Sequence, residues 1–346
     1  MMIENTLTQA DRNLLNEALD GFVPERVFDI HGHLHAAQFC AQDGLADHLK
    51  KNLNLSAYRR SLELLLPGRK LEGALLFPFP IRECDRGGLN AWMFSELTNQ
   101  EAGSFEGLAL ASPGDNPETF EHGMREGTCL GLKPYHYYSG RADTMQATVE
   151  EFVPEWMWEL CNRYEGILMI HLVREAGVSD PDNQEALIRL CTKYPGCKLI
   201  LPHIARSFNF RTARGLKKLA RLPNVYVDTS AITEAEGIRI ALDLLGPERV
   251  LFGTDYPISH LRGHCATAGT TFHWFYGEEI ENSQLTLVGI DSLLSLRQAC
   301  EQAGIKGRDV ERIFFGNAEE LLLRKIPTIE AVSAQRSIDP VSLLHL

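Results

Sequence analysis

The chain has 346 residues, 44% of them hydrophobic and 23% charged, with a formal net charge of -12 at pH 7. That length holds two ordinary domains or one large barrel around a sizeable core. The acidic balance argues against nucleic acid or an anionic membrane as a partner, because phosphate contacts need concentrated Lys and Arg, and it leaves a small molecule.

The opening stretch MMIENTLTQADRNLLNEALDG lacks a basic start followed by an apolar core, and no apolar run approaches bilayer length. No signal peptide or membrane span is therefore expected, and the cytoplasm is the default location. Eight cysteines (40, 84, 129, 161, 191, 197, 265 and 300) contain no CxxC pair. They read as reduced core residues of a cytoplasmic protein, with neither disulfides nor metal assigned to them.

In chain order, Thr8 and Asp11 have capping-box spacing, with Asp in place of the usual Glu, and predict a short helix that covers one end of the fold. Eight apolar runs of strand length follow: RVFDI (26–30), LEGALLF (71–77), FEGLALA (105–111), TCLGLK (128–133), GILMIHL (166–172), CKLILPH (197–203), NVYVDTS (224–230) and RVLFGTD (249–255). Amphipathic segments between them, such as 56–66, 149–164, 183–194 and 235–246, read as helices. This alternation predicts an α/β protein of the (β/α)8 TIM-barrel class. An open doubly wound sheet would announce itself by a Gly-rich phosphate turn after its first strand, and none is present. One domain is expected, with a helical extension over 1–25, the barrel over 26–324 and a tail over 325–346. After the eighth strand, the aromatic TFHWFYG (271–277) reads as a lid or a subunit contact, which makes a homo-oligomer conceivable.

Chemistry-bearing side chains fall at the ends of these runs. VFDIHGHLH (27–35) places His31 and His33 two residues apart, on one side of a persisting strand. Such a short motif also suits a polar turn. However, the fifth run leads to His171, the sixth to His203 and the eighth to Asp255, and barrel strands converge on one pocket at those ends. Nitrogen and oxygen donors at four matching strand ends point to a divalent metal site. Lys133 ends the fourth run, ahead of Tyr135, His136, Tyr137 and Tyr138, and Arg206 follows His203 by three residues.

The motifs DIHGH, MIHL, LPHI, VLFGTDYP and IFFGNAEELL (313–322) resemble those of the amidohydrolase superfamily, in particular family 2 with its aminocarboxymuconate-semialdehyde decarboxylase-like members. The resemblance spans about residues 26–324. It implies one metal ion held by His31, His33, His171 and Asp255, with His203 beside a bound water. Zn2+ is the default ion, with Mn2+, Fe2+ or Co2+ as alternatives. Such an ion lowers the pKa of its water from about 15.7 toward about 7. Asp255 would then take and return the proton while His203 steadies the developing oxyanion. Asp29 would orient rather than ligate, and His35 reads as a loop residue.

Lys133, His136 and Arg206 are candidate substrate contacts. In some members a lysine at the end of strand four is carboxylated and bridges two metals, which would make the site binuclear. The leading expectation is a metal-dependent hydrolase of a small amide or lactone that could carry a carboxylate. The alternatives are a metal-dependent non-oxidative decarboxylase and a barrel that has lost catalysis and only binds.

Overall fold

Eight parallel strands succeed one another around a ring, each rooted in one of the apolar runs. The computed structural model describes residues 7–41, 46, 49–98, 103–277 and 285–323. The strands are β1 (Arg26–Leu34), β2 (Lys70–Pro78), β3 (Ser104–Ala111), β4 (Gly131–Pro134), β5 (Ile167–Met169), β6 (Lys198–Leu201), β7 (Val225–Asp228) and β8 (Val250–Leu251), paired in that order. Past Leu251 the ring closes onto β1 by single bonds: Ile30 N–H to the Phe252 carbonyl (3.0 Å), Asp255 N–H to His31 (2.8 Å) and His33 N–H to Tyr256 (2.8 Å). The fold is a (β/α)8 TIM barrel.

Inside the ring, Phe28, Ile30, Leu75, Phe77, Leu108, Ile167, Met169, Ile200 and Leu251 form an apolar plug, which Ala318 and Leu321 of the last helix (Asn317–Leu323) extend. The GNA segment holds that helix in place, with Asn317 Nδ2 donating to the carbonyls of Pro247 (2.7 Å) and Val250 (2.8 Å). Outside the ring, amphipathic helices cover the strands. In Leu55–Leu65, for example, Asn54 caps the first turn through the Ala57 N–H, and Leu55, Tyr58, Leu62 and Leu65 face the barrel.

Several boundaries differ from the sequence reading. The helix predicted over 149–164 is two, Val149–Phe152 and Glu155–Arg163, broken at Pro154, whose ring cannot continue a helix. The fifth strand stops at Met169 and the sixth at Leu201, so His171 and His203 sit on the loops that follow. The segment around 271–277 is no loop: β9 (Gly263–Ala268) and β10 (Thr271–Tyr276) form an antiparallel hairpin. The tail 325–346 lies outside the described residues, as does part of 256–290. Among the described residues, no helix is long and apolar enough to cross a membrane. All eight cysteines are thiols.

The N-terminal helix, Gln9–Leu19, has the predicted capping box, with Thr8 Oγ1 accepting from Asp11 N–H and the Asp11 carboxylate accepting from Thr8 N–H (2.8 Å). It runs along the flank rather than across an end. Its first turn is tied to Arg262 beyond β8, and the Val23 carbonyl that follows it accepts from Arg69 ahead of β2 (3.1 Å). Asp11 is 1% exposed and takes both Arg262 nitrogens (3.1 and 2.6 Å) and the Thr286 hydroxyl (2.8 Å). Burial pushes its pKa up, but Arg262 and the hydroxyl and amide donors outweigh burial and hold the carboxyl well below its usual range. Replacing Asp11 by Asn should cost about 2 kcal/mol at pH 7, since a mostly buried guanidinium loses its counter-charge. Because the folded pKa is depressed, this contribution is complete above the unfolded value near 3.8 and fades as pH falls below it. Urea unfolding of the wild type and the variant at pH 7 and pH 3 should therefore show the gap narrowing in acid. A gap independent of pH would contradict the assignment.

Candidate metal centre

Strict alternation along β1 would put His31 and His33 on the face opposite Phe28 and Ile30. It does not hold. Asp29 faces Ala74 on β2 and Gly32 faces Leu76, so β1 spends one extra residue between them, a β-bulge. Below the bulge Phe28 and Ile30 point into the barrel, and above it His31 and His33 do so too. Asp29, left on the outer side, binds the bulge together. Its Oδ1 accepts from the backbone N–H of His31 (3.0 Å) and Thr254 (2.9 Å), and its Oδ2 accepts from the hydroxyls of Tyr58 (2.8 Å) and Thr254 (2.6 Å). Burial raises its pKa to about 6 against these four donors, so it orients the strand as a carboxylate at neutral pH. His35 follows the end of β1, as expected. It is fully buried in a bridge to Leu53, with Nε2 bonded to the Leu49 carbonyl (2.8 Å) and away from the cavity.

His31, His33, Lys133, His171, His203 and Asp255 line one cavity of about 170 Å³ at the C-terminal mouth of the barrel. His31 Nε2 lies 3.3 Å from His33 Nε2, and each is 3.2 Å from Asp255 Oδ1. His31, His203 and Asp255 each offer a ligand atom within 4.8 Å of the other two. The tightest trio is therefore His31, His33 and Asp255, and His203, which the family resemblance put beside the water, lies within ligand distance of two of its members. His171 stands next to His203 with ring centroids 5.1 Å apart, and its buried Nδ1 has no partner among the described residues. His136 and Arg206 do not line the cavity. His136 turns its Nδ1 to Thr144 Oγ1 (3.1 Å), and Arg206 donates to the Arg174 carbonyl (3.1 Å) with its guanidinium over the Phe272 ring.

The second ring nitrogens decide what the cavity wants. Nδ1 of His31 meets Asp228 Oδ2 (2.8 Å), Nδ1 of His203 meets the Ser230 carbonyl (2.9 Å) and Nδ1 of His33 meets the Pro78 carbonyl at a longer 3.4 Å. These oxygens only accept, so each Nδ1 carries a hydrogen, which leaves the Nε2 lone pairs of His33 and His203 for the cavity, and that of His31 once its second proton is displaced. Burial pushes His33 down to about 4 and also lowers His171 and His203, so these three are neutral at pH 7. Lone pairs packed against a carboxylate need a cation among them. The donor set therefore fits a divalent metal ion.

Two strained turns deliver the donors. His203, Ile204, Ala205 and Arg206 all take the left-handed conformation (φ 58, 48, 56 and 61°), at a cost of about 1–2 kcal/mol for each residue. Asp255 is left-handed as well (φ 58°), a conformation that Asp tolerates better than most residues. Asp228, which sequence reasoning did not single out, offsets part of that cost. Its Oδ1 accepts from the His203 N–H (2.9 Å), the Ser230 N–H (3.1 Å) and the Ser230 hydroxyl (2.5 Å), while Oδ2 holds the His31 ring. Burial would raise its pKa, but the facing His31 prevails and pulls it to about 2. Its one signal in the sequence was an Asp at the end of the seventh apolar run.

Aromatic rings wall the cavity: Phe79, Tyr135 and Phe208 from the barrel loops, and Trp274 and Tyr276 from β10. The hairpin hangs on two of those loops. Thr233 exchanges bonds with the Cys265 backbone (2.8 and 2.9 Å), Asn209 reaches the Thr271 carbonyl (3.1 Å) and Phe208 packs on Phe272 and Trp274.

Asp228→Asn keeps the size of the side chain but removes the charge that orients His31. It should weaken Zn2+ binding to the apoprotein about 10- to 100-fold while the protein stays folded. Competition against a chromophoric chelator measures the affinity and circular dichroism the fold. Wild-type affinity in the folded variant would show that Asp228 does not orient the site.

With the site described, the chain can be set beside known proteins. The sequence profile of the amidohydrolase family matches residues 29–324. An L-fucono-1,5-lactonase of Burkholderia ambifaria is 27% identical over 112 residues, a match covering 27% of this chain and 38% of that enzyme. The fold is similar to an amidohydrolase of Burkholderia multivorans crystallised with zinc (TM-score 0.57, 16% identity, 87% of this chain and 99% of that one). It is similar also to 2,6-dihydroxybenzoate decarboxylase from Rhizobium (TM-score 0.53, 15% identity, 87% and 99%). Since the family profile spans nearly the whole barrel and the acceptor cluster stands at its mouth, the chain belongs to the amidohydrolase family.

Proposed function

We propose that this protein is a metal-dependent hydrolase that opens a small carbonyl substrate, a lactone or amide bearing a carboxylate. The observation that carries this reading is the set of outward lone pairs of His31, His33 and His203 around Asp255, with one ammonium, Lys133, on the same wall. A divalent ion would be held by His31, His33 and Asp255, with His203 and His171 adjacent, and would supply a polarised carbonyl and an acidified water.

The remaining work falls to the chain's own groups. Burial would raise the pKa of Asp255, but the facing imidazoles, the charge of His31 first, keep it well below its usual value, so it is ionised at neutral pH. Its Oδ1 faces those rings, which leaves Oδ2 to take the proton of the attacking water and hand it to the leaving alkoxide or amine. Lys133 is 1% exposed, its Nζ has no hydrogen-bond partner among the described residues, and it sits 4.9 Å from the centre of the Phe77 ring. Burial lowers its pKa to about 8, which leaves it largely charged at pH 7 and short of an anion. A substrate carboxylate would satisfy it. The aromatic walls offer stacking surfaces for a planar or ring-shaped substrate and exclude water.

The same ammonium favours a second reading, non-oxidative decarboxylation of a small acid on the same metal. The two part at the product. Zinc- or manganese-loaded protein, given a panel of sugar-acid and dicarboxylic lactones, should release acid seen by a pH indicator. With hydroxybenzoates it should release no CO2. CO2 release without acid production from any lactone would replace the first reading by the second. For whichever substrate bears a carboxylate, Lys133→Met should raise KM about tenfold or more, with a smaller effect on an uncharged analogue. Equal effects on both would remove Lys133 from substrate binding.

A further inference from the structure

Outside the metal centre, two thiols meet at the rim of the barrel. Cys40, on the loop after β1, pairs with Cys84, on the loop after β2, in an isolated antiparallel bridge. The flanking bonds run from Ala41 N–H to the Glu83 carbonyl (3.0 Å) and from Asp85 N–H to the Phe39 carbonyl (2.8 Å). That pattern makes Cys40 and Cys84 a non-hydrogen-bonded pair, with Cα atoms about 4.5 Å apart and side chains on the same side. This lies within the Cα range of about 4.4–6.8 Å that disulfides occupy. We infer that Cys40 and Cys84 form a redox-active dithiol, converted to a disulfide by exchange with a small-molecule disulfide.

The two sulfurs are not equivalent. Cys40 is 9% exposed and packs with Ala36 and Leu89, whereas Cys84 is half-buried and reachable from solvent. The Cys84 S–H donates to the Ile81 carbonyl (3.2 Å), and its sulfur lies 3.8 Å from the Tyr138 hydroxyl, beside Cys40 and with the Arg86 guanidinium nearby. These groups draw the Cys84 thiol below its ordinary pKa and push that of Cys40 up. Cys84 is the attacking thiolate and Cys40 the resolving thiol. With glutathione disulfide, the Cys84 thiolate attacks one sulfur and releases one glutathione thiolate, leaving a mixed disulfide. Cys40 then gives up its proton, attacks the Cys84 sulfur and releases the second glutathione. Two electrons pass from the protein to the small disulfide. The new bond fastens the loop after β1 to the loop that begins at Phe79 and Pro80 on the cavity wall.

The test uses the full-length protein in glutathione redox buffers, alkylated without denaturation and digested without reduction. The expected product is one crosslinked peptide joining Cys40 to Cys84, with the thiol count in denaturant falling from eight to six and the melting temperature rising by several degrees. Cys40→Ser should stop at a stable glutathione adduct on Cys84. Should that variant not fold, an intact-mass time course of the wild type must show the adduct rising and then decaying to a species two hydrogens lighter than the reduced chain. Eight thiols retained in oxidising buffer, a crosslink between other cysteines, or an adduct on Cys84 that never resolves would each overturn the inference.

Discussion

Lone pairs of neutral imidazoles and an ionised carboxylate repel one another across an apolar-walled cavity, and the mouth of this barrel is built to hold them together. Positive charge is the condition for that arrangement. In the metal-free chain the proton of His31 meets it: burial works against the charge, but Asp228 and Asp255 on either side outweigh burial and raise that group to about 9. A divalent ion meets the condition with twice the charge and replaces a proton in doing so. Much of the surrounding structure reads as restraint against the repulsion. Asp29 pins the strand, Asp228 the ring, and the Asp255 N–H the His31 carbonyl (2.8 Å).

The barrel was legible in the sequence because each strand is a short apolar run bounded by polar or helical segments, and each of the eight runs overlaps a strand of the ring. The donors were legible because barrel strands share one polarity, so residues at their C-terminal ends meet. The route by which β1 aims them was not. A period of two relates His31 to His33 but also groups both with Asp29. Only the extra residue of the bulge separates an orienting carboxylate on one side from two donors on the other. Periodicity carries no mark of a bulge, because its cause lies in the pairing with β2 and the bonds to Thr254 and Tyr58.

Asp228 was hidden for a related reason. It belongs to a run that reads as an ordinary buried strand, and its partners, His31 and His203, are distant in sequence. The same holds for the left-handed turn at 203–206. Pro202 forecasts an end to the ladder, but nothing local forecasts four residues in a conformation that isolated chains avoid. His136 and Arg206 show the opposite error. Proximity in sequence to a strand end suggested contact with the cavity, whereas their side chains follow turns that lead to Thr144 and Phe272.

The aromatic hairpin divides the protein by origin. The candidate donors come from β1, from the loops after β5 and β6 and from the residues just past β8, all within the ring that fixes the fold. Trp274 and Tyr276 come from an appended ribbon bonded to the rest of the barrel by Asn209, Phe210, Arg211, Thr233 and Glu234 on the loops beneath it and by Asp291 on a flanking helix. Changing that ribbon would leave the hydrogen bonds of the barrel intact. The aromatic wall and the donor cluster of the cavity are thus written in separable stretches of one chain. A lineage built on this plan can exchange its roof without rebuilding the floor.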